Sequence, residues 1–174
     1  MKLKGIEKQF WWHFGQINDS KGIPEEISGI SGVDNSDYND EYFEILTGRI
    51  KIIHSIYLKE TAVTDEGLKH ISKIKQLKSL TVMKHPQITK DSLPYLNALV
   101  DLEYLDIWRT GIILEDLKAL DQLKKLKEIY VSSVRELEDG SFSELDSDKI
   151  LEHVIELEAV FPNCTFFVDF KKYP

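Results

Sequence analysis

The feature that most constrains this chain is a period. Leu77-Lys78-Ser79-Leu80-Thr81-Val82, Leu102-Glu103-Tyr104-Leu105-Asp106-Ile107 and Leu126-Lys127-Glu128-Ile129-Tyr130-Val131 place apolar residues at offsets 0, 3 and 5. Ile53-His54-Ser55-Ile56-Tyr57-Leu58 does the same upstream, and successive starts lie 24, 25 and 24 residues apart. The second half of each unit repeats as well. Val63, Ile88 and Ile112 share one column, Leu68, Leu93 and Leu117 a second, Ile71, Leu96 and Leu120 a third, and Ile74, Leu99 and Leu123 a fourth. The even steps from Leu68 to Ile71 to Ile74 follow one face of a short helix. Thr64-Asp65-Glu66 and Thr89-Lys90-Asp91 precede two of these helices; Thr caps an N-terminus well, and a first-turn carboxylate suits the helix dipole. Each unit thus reads as a strand, a turn, a short helix and a return. One unit cannot bury its apolar face alone, whereas stacking aligns the columns into a shared core.

These residues resemble the leucine-rich repeat family. Its pattern, Leu-x-x-Leu-x-Leu followed by a polar or small residue and another aliphatic, is met at Leu77, Leu80, Val82 and Ile88, and at Leu102, Leu105, Ile107 and Ile112. Thr61 and Thr110 stand where the family often has Asn, Cys or Thr, and Val63-Thr64-Asp65-Glu66-Gly67-Leu68 is similar to a variant of the helix-containing, ribonuclease-inhibitor-like subclass. The resemblance covers roughly residues 53–134. It departs at Lys84, His85 and Pro86 and at Ser133, so the family's asparagine ladder is absent. It implies an α/β fold: a short right-handed solenoid, with a parallel strand ladder on the concave face, helices on the convex face and irregular caps at both ends. It also implies protein binding, without saying which protein.

The flanks read as caps of one domain, residues 1–52 before the repeats at 53–134 and residues 135–174 after them. Phe10, Trp11, Trp12 and Phe14 form an aromatic cluster that either covers the end of the stack or serves as a binding knob. Gly22-Ile23-Pro24 and Gly29 to Gly32 read as breaks, residues 34–40 as a polar loop, and Asp40 to Leu46 as helix. Downstream, residues 136–148 read as a polar surface loop with a turn at Asp139-Gly140-Ser141. Ile150, Leu151, Val154, Ile155, Leu157 and Val160 make residues 148–160 an amphipathic helix, and Phe161, Cys164 and Phe166 repeat the strand offsets once more.

Charge narrows the partner class. The chain has 174 residues, 22 basic and 30 acidic, for a net charge of −8. That balance argues against nucleic-acid or anionic-membrane partners, which demand clustered Lys and Arg. Glu136, Glu138, Asp139, Glu144, Asp146 and Asp148 form an acidic stretch that either steers a basic partner or is simply solvated. A single cysteine, no apolar run long enough for a membrane span and no signal-peptide pattern lead us to expect a cytoplasmic protein, monomeric or weakly self-associating.

Chemistry is sparse. There is no glycine-rich phosphate loop, and His13, His54, His70, His85 and His153 show no ligand spacing. Asp34 to Asp40 lacks the Gly and Glu of a calcium loop. Cys164 falls on an inward column, and Asp65-Glu66 and Glu115-Asp116 fall at helix starts. We therefore expect no catalysis, cofactor or metal; a metal-dependent site around His13, Asp34, Asp37 and Asp40 and an inhibitory, antitoxin-like or self-assembling role are the alternatives. If offsets 3 and 5 point inward, the intervening residues face outward. Tyr57, Met83, Tyr104, Asp106, Trp108 and Tyr130, with Arg109 beside them, then form the candidate partner-binding surface, unless the rings merely pack across strands.

Overall fold

The computed structural model describes residues 2–136 and 140–173. Along that length run nine strands and five α-helices. They are α1 (Gly5–Gly15), β1 (Glu26–Val33), α2 (Asp40–Arg49), β2 (Ile52–Lys59), α3 (Asp65–Ile71), β3 (Ser79–Met83), α4 (Leu93–Asn97), β4 (Tyr104–Asp106), β5 (Glu128–Val131), β6 (Val134–Glu136), β7 (Phe142–Glu144), α5 (Ser147–Glu158), β8 (Thr165–Val168) and β9 (Lys171–Tyr173). A 3₁₀ turn at Lys90–Ser92 leads into α4, and a 3₁₀ segment at Leu114–Ala119 stands where a third repeat helix was expected. Seven strands form one open, mostly parallel sheet in the order β1-β2-β3-β4-β5-β8-β9, with only β9 antiparallel to its neighbour.

The register explains the period. Ile30, Ile56, Leu80, Leu105, Ile129 and Phe166 stand side by side across six parallel strands. From Ile56 onward every member of that row is fully buried, as are Leu58, Val82 and Ile107 two residues along. The helix columns close the other side: Phe43, Leu46, Leu68, Ile71, Leu96, Leu117 and Leu120 are buried in the same continuous core. A parallel strand is reached only through a crossover, so a strand-plus-return of constant length keeps equivalent residues in step.

Polar side chains repeat the same step. Asp40 accepts hydrogen bonds from the Thr64 N–H (2.9 Å) and hydroxyl (2.7 Å), and Asp65 accepts the same pair from Thr89, both at 2.7 Å. Each Asp opens one helix and clamps the N-cap of the next; Thr64 and Thr89 in turn accept from Glu66 N and Asp91 N. At the third junction Lys90 and Ile113 occupy the two positions, and the Ile113 N–H turns to Asp116 Oδ2 instead, at 3.0 Å. The strand exits share a conformation too: Asp34, Glu60, Lys84 and Arg109 all sit in the left-handed region, with φ between 49° and 60°.

The structure corrects several expectations. Gly29 and Gly32 do not break the chain; both lie in β1. A Cβ on Gly29 would meet Ser55 O at 2.8 Å and one on Gly32 the Tyr38 ring at 2.6 Å, so close approach of neighbours, rather than a turn, requires glycine. The strand-and-helix alternation thus begins one unit earlier than expected, within residues 1–52. The polar stretch after Val134 is not a plain loop: β6 and β7 pair as an antiparallel hairpin. Glu138 and Asp139 of that stretch lie outside the described residues. The helix expected over 148–160 is α5, with Ile150, Val154 and Leu157 buried. At the N-terminus Trp11 is fully buried and Phe10 and Phe14 are half-buried, while Trp12 is 46% exposed.

Candidate functional site

Strand pleating turns Ser31, Tyr57, Thr81, Asp106, Tyr130 and Phe167 to one face in register. Tyr104 stands in the parallel row with Ser55, Ser79 and Glu128. The candidate rings do not make one continuous stripe. Tyr57, 39% exposed, donates its hydroxyl to Met83 Sδ at 3.8 Å on one side. Tyr104, Trp108 and Tyr130 gather on the other. Thr81 and Asp106 divide the two groups, at 3% and 5% exposure.

Asp106 is therefore not the presented charge that alternation suggested. A short side chain between the longer Tyr104 and Trp108 is shaded by them. Its carboxylate accepts the Trp108 N–H at 3.0 Å, and burial raises its pKa. Tyr104 feels the same environment; burial, helped by the Asp106 charge, pushes its hydroxyl up to about 12. Arg109 leaves the strand with φ of 56° and lays its guanidinium 4.5 Å from the centre of the Trp108 ring. Among the described residues it makes no ion pair.

The second group is larger than the sequence indicated. Tyr130 packs 5.3 Å from Tyr104 and stacks on Phe167 at 4.3 Å, with the planes 2° apart. Phe170 lies 4.7 Å from Trp108 and 6.5 Å from Tyr130. Cross-strand packing consumes part of these rings, but Phe170 remains 55% exposed. It sits with Asp169 in the two-residue connection between β8 and β9, at φ of 65° and 47° respectively. Two consecutive positive φ values fit a tight hairpin turn that favours Asn-Gly; Asp169-Phe170 carries no such signal in the sequence. A bulky residue held at positive φ is strained, and such strain gathers at functional positions.

Asp169 fixes the turn to the sheet. Its carboxylate accepts Trp108 Nε1–H (2.9 Å), Ser132 Oγ–H (3.2 Å) and Ser133 N–H (3.0 Å). Burial opposes its charge, but the hydrogen bonds from Ser133, Trp108 and Ser132 outweigh it and hold the carboxyl below its ordinary range. Beside this cluster opens a cleft of about 690 Å³, lined among others by Lys84, Arg109, Thr110, Ile113 and Phe142. Phe142, on β7, is 71% exposed. Lys84 is engaged by Glu60 at 3.0 Å.

The other candidates for chemistry are dispersed. His13 and Asp37 line a groove near α1, Asp34 follows β1, and Asp40 is held by Thr64. Among the described residues no three His, Cys, Asp or Glu side chains converge to hold a metal ion. Cys164 is buried, which pushes its thiol up to about 12. Of the acidic stretch, Asp146 caps α5 by accepting Lys149 N–H. Among the described residues no helix is long and apolar enough to cross a membrane. No family model matches the chain, and no curated protein matches it in sequence.

Proposed function

We propose that the chain is a non-catalytic protein-binding module, a short leucine-rich-repeat solenoid of the cytoplasm that receives another protein on its strand face. The observation that carries this reading is Phe170: a large ring, over half exposed, on a strained turn anchored through Asp169 to Trp108. Water gains nothing from such a ring, and the rigid hairpin means little ordering remains to oppose binding. Around it Trp108, Tyr130 and Phe167 supply the aromatic residues enriched at interface centres, and Arg109 adds a cation already stacked on Trp108. Tyr57 and Met83 form a smaller, separate contact point. The in-step parallel register and the clamps, each spanning 24 residues and recurring 25 residues apart, support the solenoid part of the reading.

The test is capture of partners from the native source by the native chain, by Phe170→Asp, by Trp108→Ala and by Trp12→Ala. A partner that binds the native chain and Trp12→Ala, and is lost with the other two at unchanged melting temperature, supports the reading. Retention by both Phe170→Asp and Trp108→Ala removes it.

A further inference from the structure

Among the described residues nothing pairs with the outer edge of β1 along its whole length. β2 is its one strand neighbour, and among the described residues no backbone N–H or C=O of residues 26–33 bonds outside that pairing. Exposed edges are ordinarily blunted by lysine, proline, bulges or a covering segment; Glu26–Val33 contains neither Lys nor Pro. Beside it lies a groove of about 880 Å³, walled by Phe10 and Phe14 of α1 and by Tyr38 and Tyr42. The walls are joined, Phe10 to Tyr42 at 4.9 Å and Tyr38 to Tyr42 at 4.8 Å. Ile27 and Ile30 open into it half-buried, although Ile53 and Ile56, their partners in register, are fully buried. Hydrogen-bonding groups and apolar surface are thus left unsatisfied side by side, in the arrangement one further strand would complete.

We infer that this edge accepts an extended segment of a basic partner protein by strand addition, its alternate apolar side chains entering the aromatic groove. Charge selects the partner. Glu25 and Glu26 stand at one end of the edge, Glu26 also meeting His54 Nε2 at 2.6 Å, and Asp34 and Asp37 follow its other end, with no Lys or Arg in residues 25–37. A second copy of the chain is a poor occupant for the same reason. Antiparallel pairing of two β1 edges sets Glu25 and Glu26 against Asp34 and Val33 of the other copy, and parallel pairing brings the two Glu26 side chains together. A segment ending in Lys or Arg meets those carboxylates instead. This site is remote in the sheet order from the Trp108–Phe170 cluster and stands independently of it.

The probe is a synthetic eight-residue peptide alternating Val and Thr with a lysine at each end. Two twins accompany it, one N-methylated at alternate residues and one ended by glutamates. Amide NMR titration of the isotope-labelled full chain reads the site. Saturable binding with shifts confined to residues 26–33 and the neighbours of Phe10 and Phe14 is expected, lost with the N-methylated twin and weakened about tenfold or more with the glutamate twin. Phe14→Ala, checked for fold by its melting curve, weakens the lysine peptide as well. Equal binding of the N-methylated twin, shifts centred on Tyr104 and Tyr130, no binding at millimolar peptide, or a β1-mediated dimer in sedimentation would each overturn the inference.

Discussion

Asp65→Ala tests whether the side-chain clamps hold successive units together. The substitution removes both hydrogen bonds to Thr89, from its N–H and its hydroxyl, each 2.7 Å long. A hydrogen bond to a charged group contributes about 1.5–3 kcal/mol. Asp65 and Thr89 are half-buried, so the lower end applies, and the pair amounts to about 3 kcal/mol. The lost first-turn carboxylate of α3 adds only a few tenths of a kcal/mol, because Glu66 remains. At this chain length that corresponds to a fall in Tm of about 6–12 °C. Urea unfolding of Asp65→Ala, Thr89→Val and the double variant isolates the interaction. Thr89→Val keeps the N–H but loses the hydroxyl, so the coupling energy is about 1.5 kcal/mol. Asp91→Ala, exposed in the first turn of the next unit, is the control and costs about 0.5 kcal/mol or less. A cost for Asp65→Ala no larger than that of the control, or a vanishing coupling, refutes the reasoning.

Three further outcomes follow from the same geometry. Lys90→Asp combined with Ile113→Thr builds the missing third clamp, and its stability exceeds the sum of the single changes by about 1 kcal/mol in a urea cycle. Leu105→Ala, in the buried row between Leu80 and Ile129, costs about 3 kcal/mol, whereas half-buried Tyr104→Ala costs less by the same assay; the reverse order would place Leu105 outside the core. His85 is fully buried, its Nε2 bonded to Thr61 N–H (3.1 Å) and hydroxyl (2.8 Å), while among the described residues its buried Nδ1 has no hydrogen-bond partner. Burial lowers its pKa below 6.5, and burial lowers that of His70 as well. The unfolded chain then binds more protons, so stability is complete above about pH 6.5 and declines as pH falls below it. Urea midpoints between about pH 7.5 and 5.5 should drop on acidification, and His85→Gln should flatten part of the slope.

The strand columns were legible because each carries a large aliphatic residue that must be buried at a fixed step. β1 was not, because Gly32 occupies the position held by Leu58 and Val82. An apolar column read by side chain cannot register a residue without one, and the reason for that glycine is the Tyr38 ring pressed against it. Outward aromatics were legible from alternation as far as the strands run. Asp106 was misplaced because alternation gives direction and says nothing of the taller neighbours that shade it. Phe170 was invisible because its prominence depends on a backbone conformation its residue type disfavours. The Asp40–Thr64 and Asp65–Thr89 pairs were visible only as helix caps, since each Asp serves a unit other than its own.

Strand order in the main sheet follows chain order once the separate β6–β7 hairpin is set aside, so every inner strand is bound on both sides by the sheet strands that precede and follow it in the chain. Tension applied at the two termini therefore loads the ladders in series rather than shearing them together. Each released unit of 24 to 26 residues between β1 and β5 lengthens the chain by about 80 Å, and the longer step from β5 to β8 by more. Such a molecule yields to force in short, countable steps from its margins and keeps an intact middle until late.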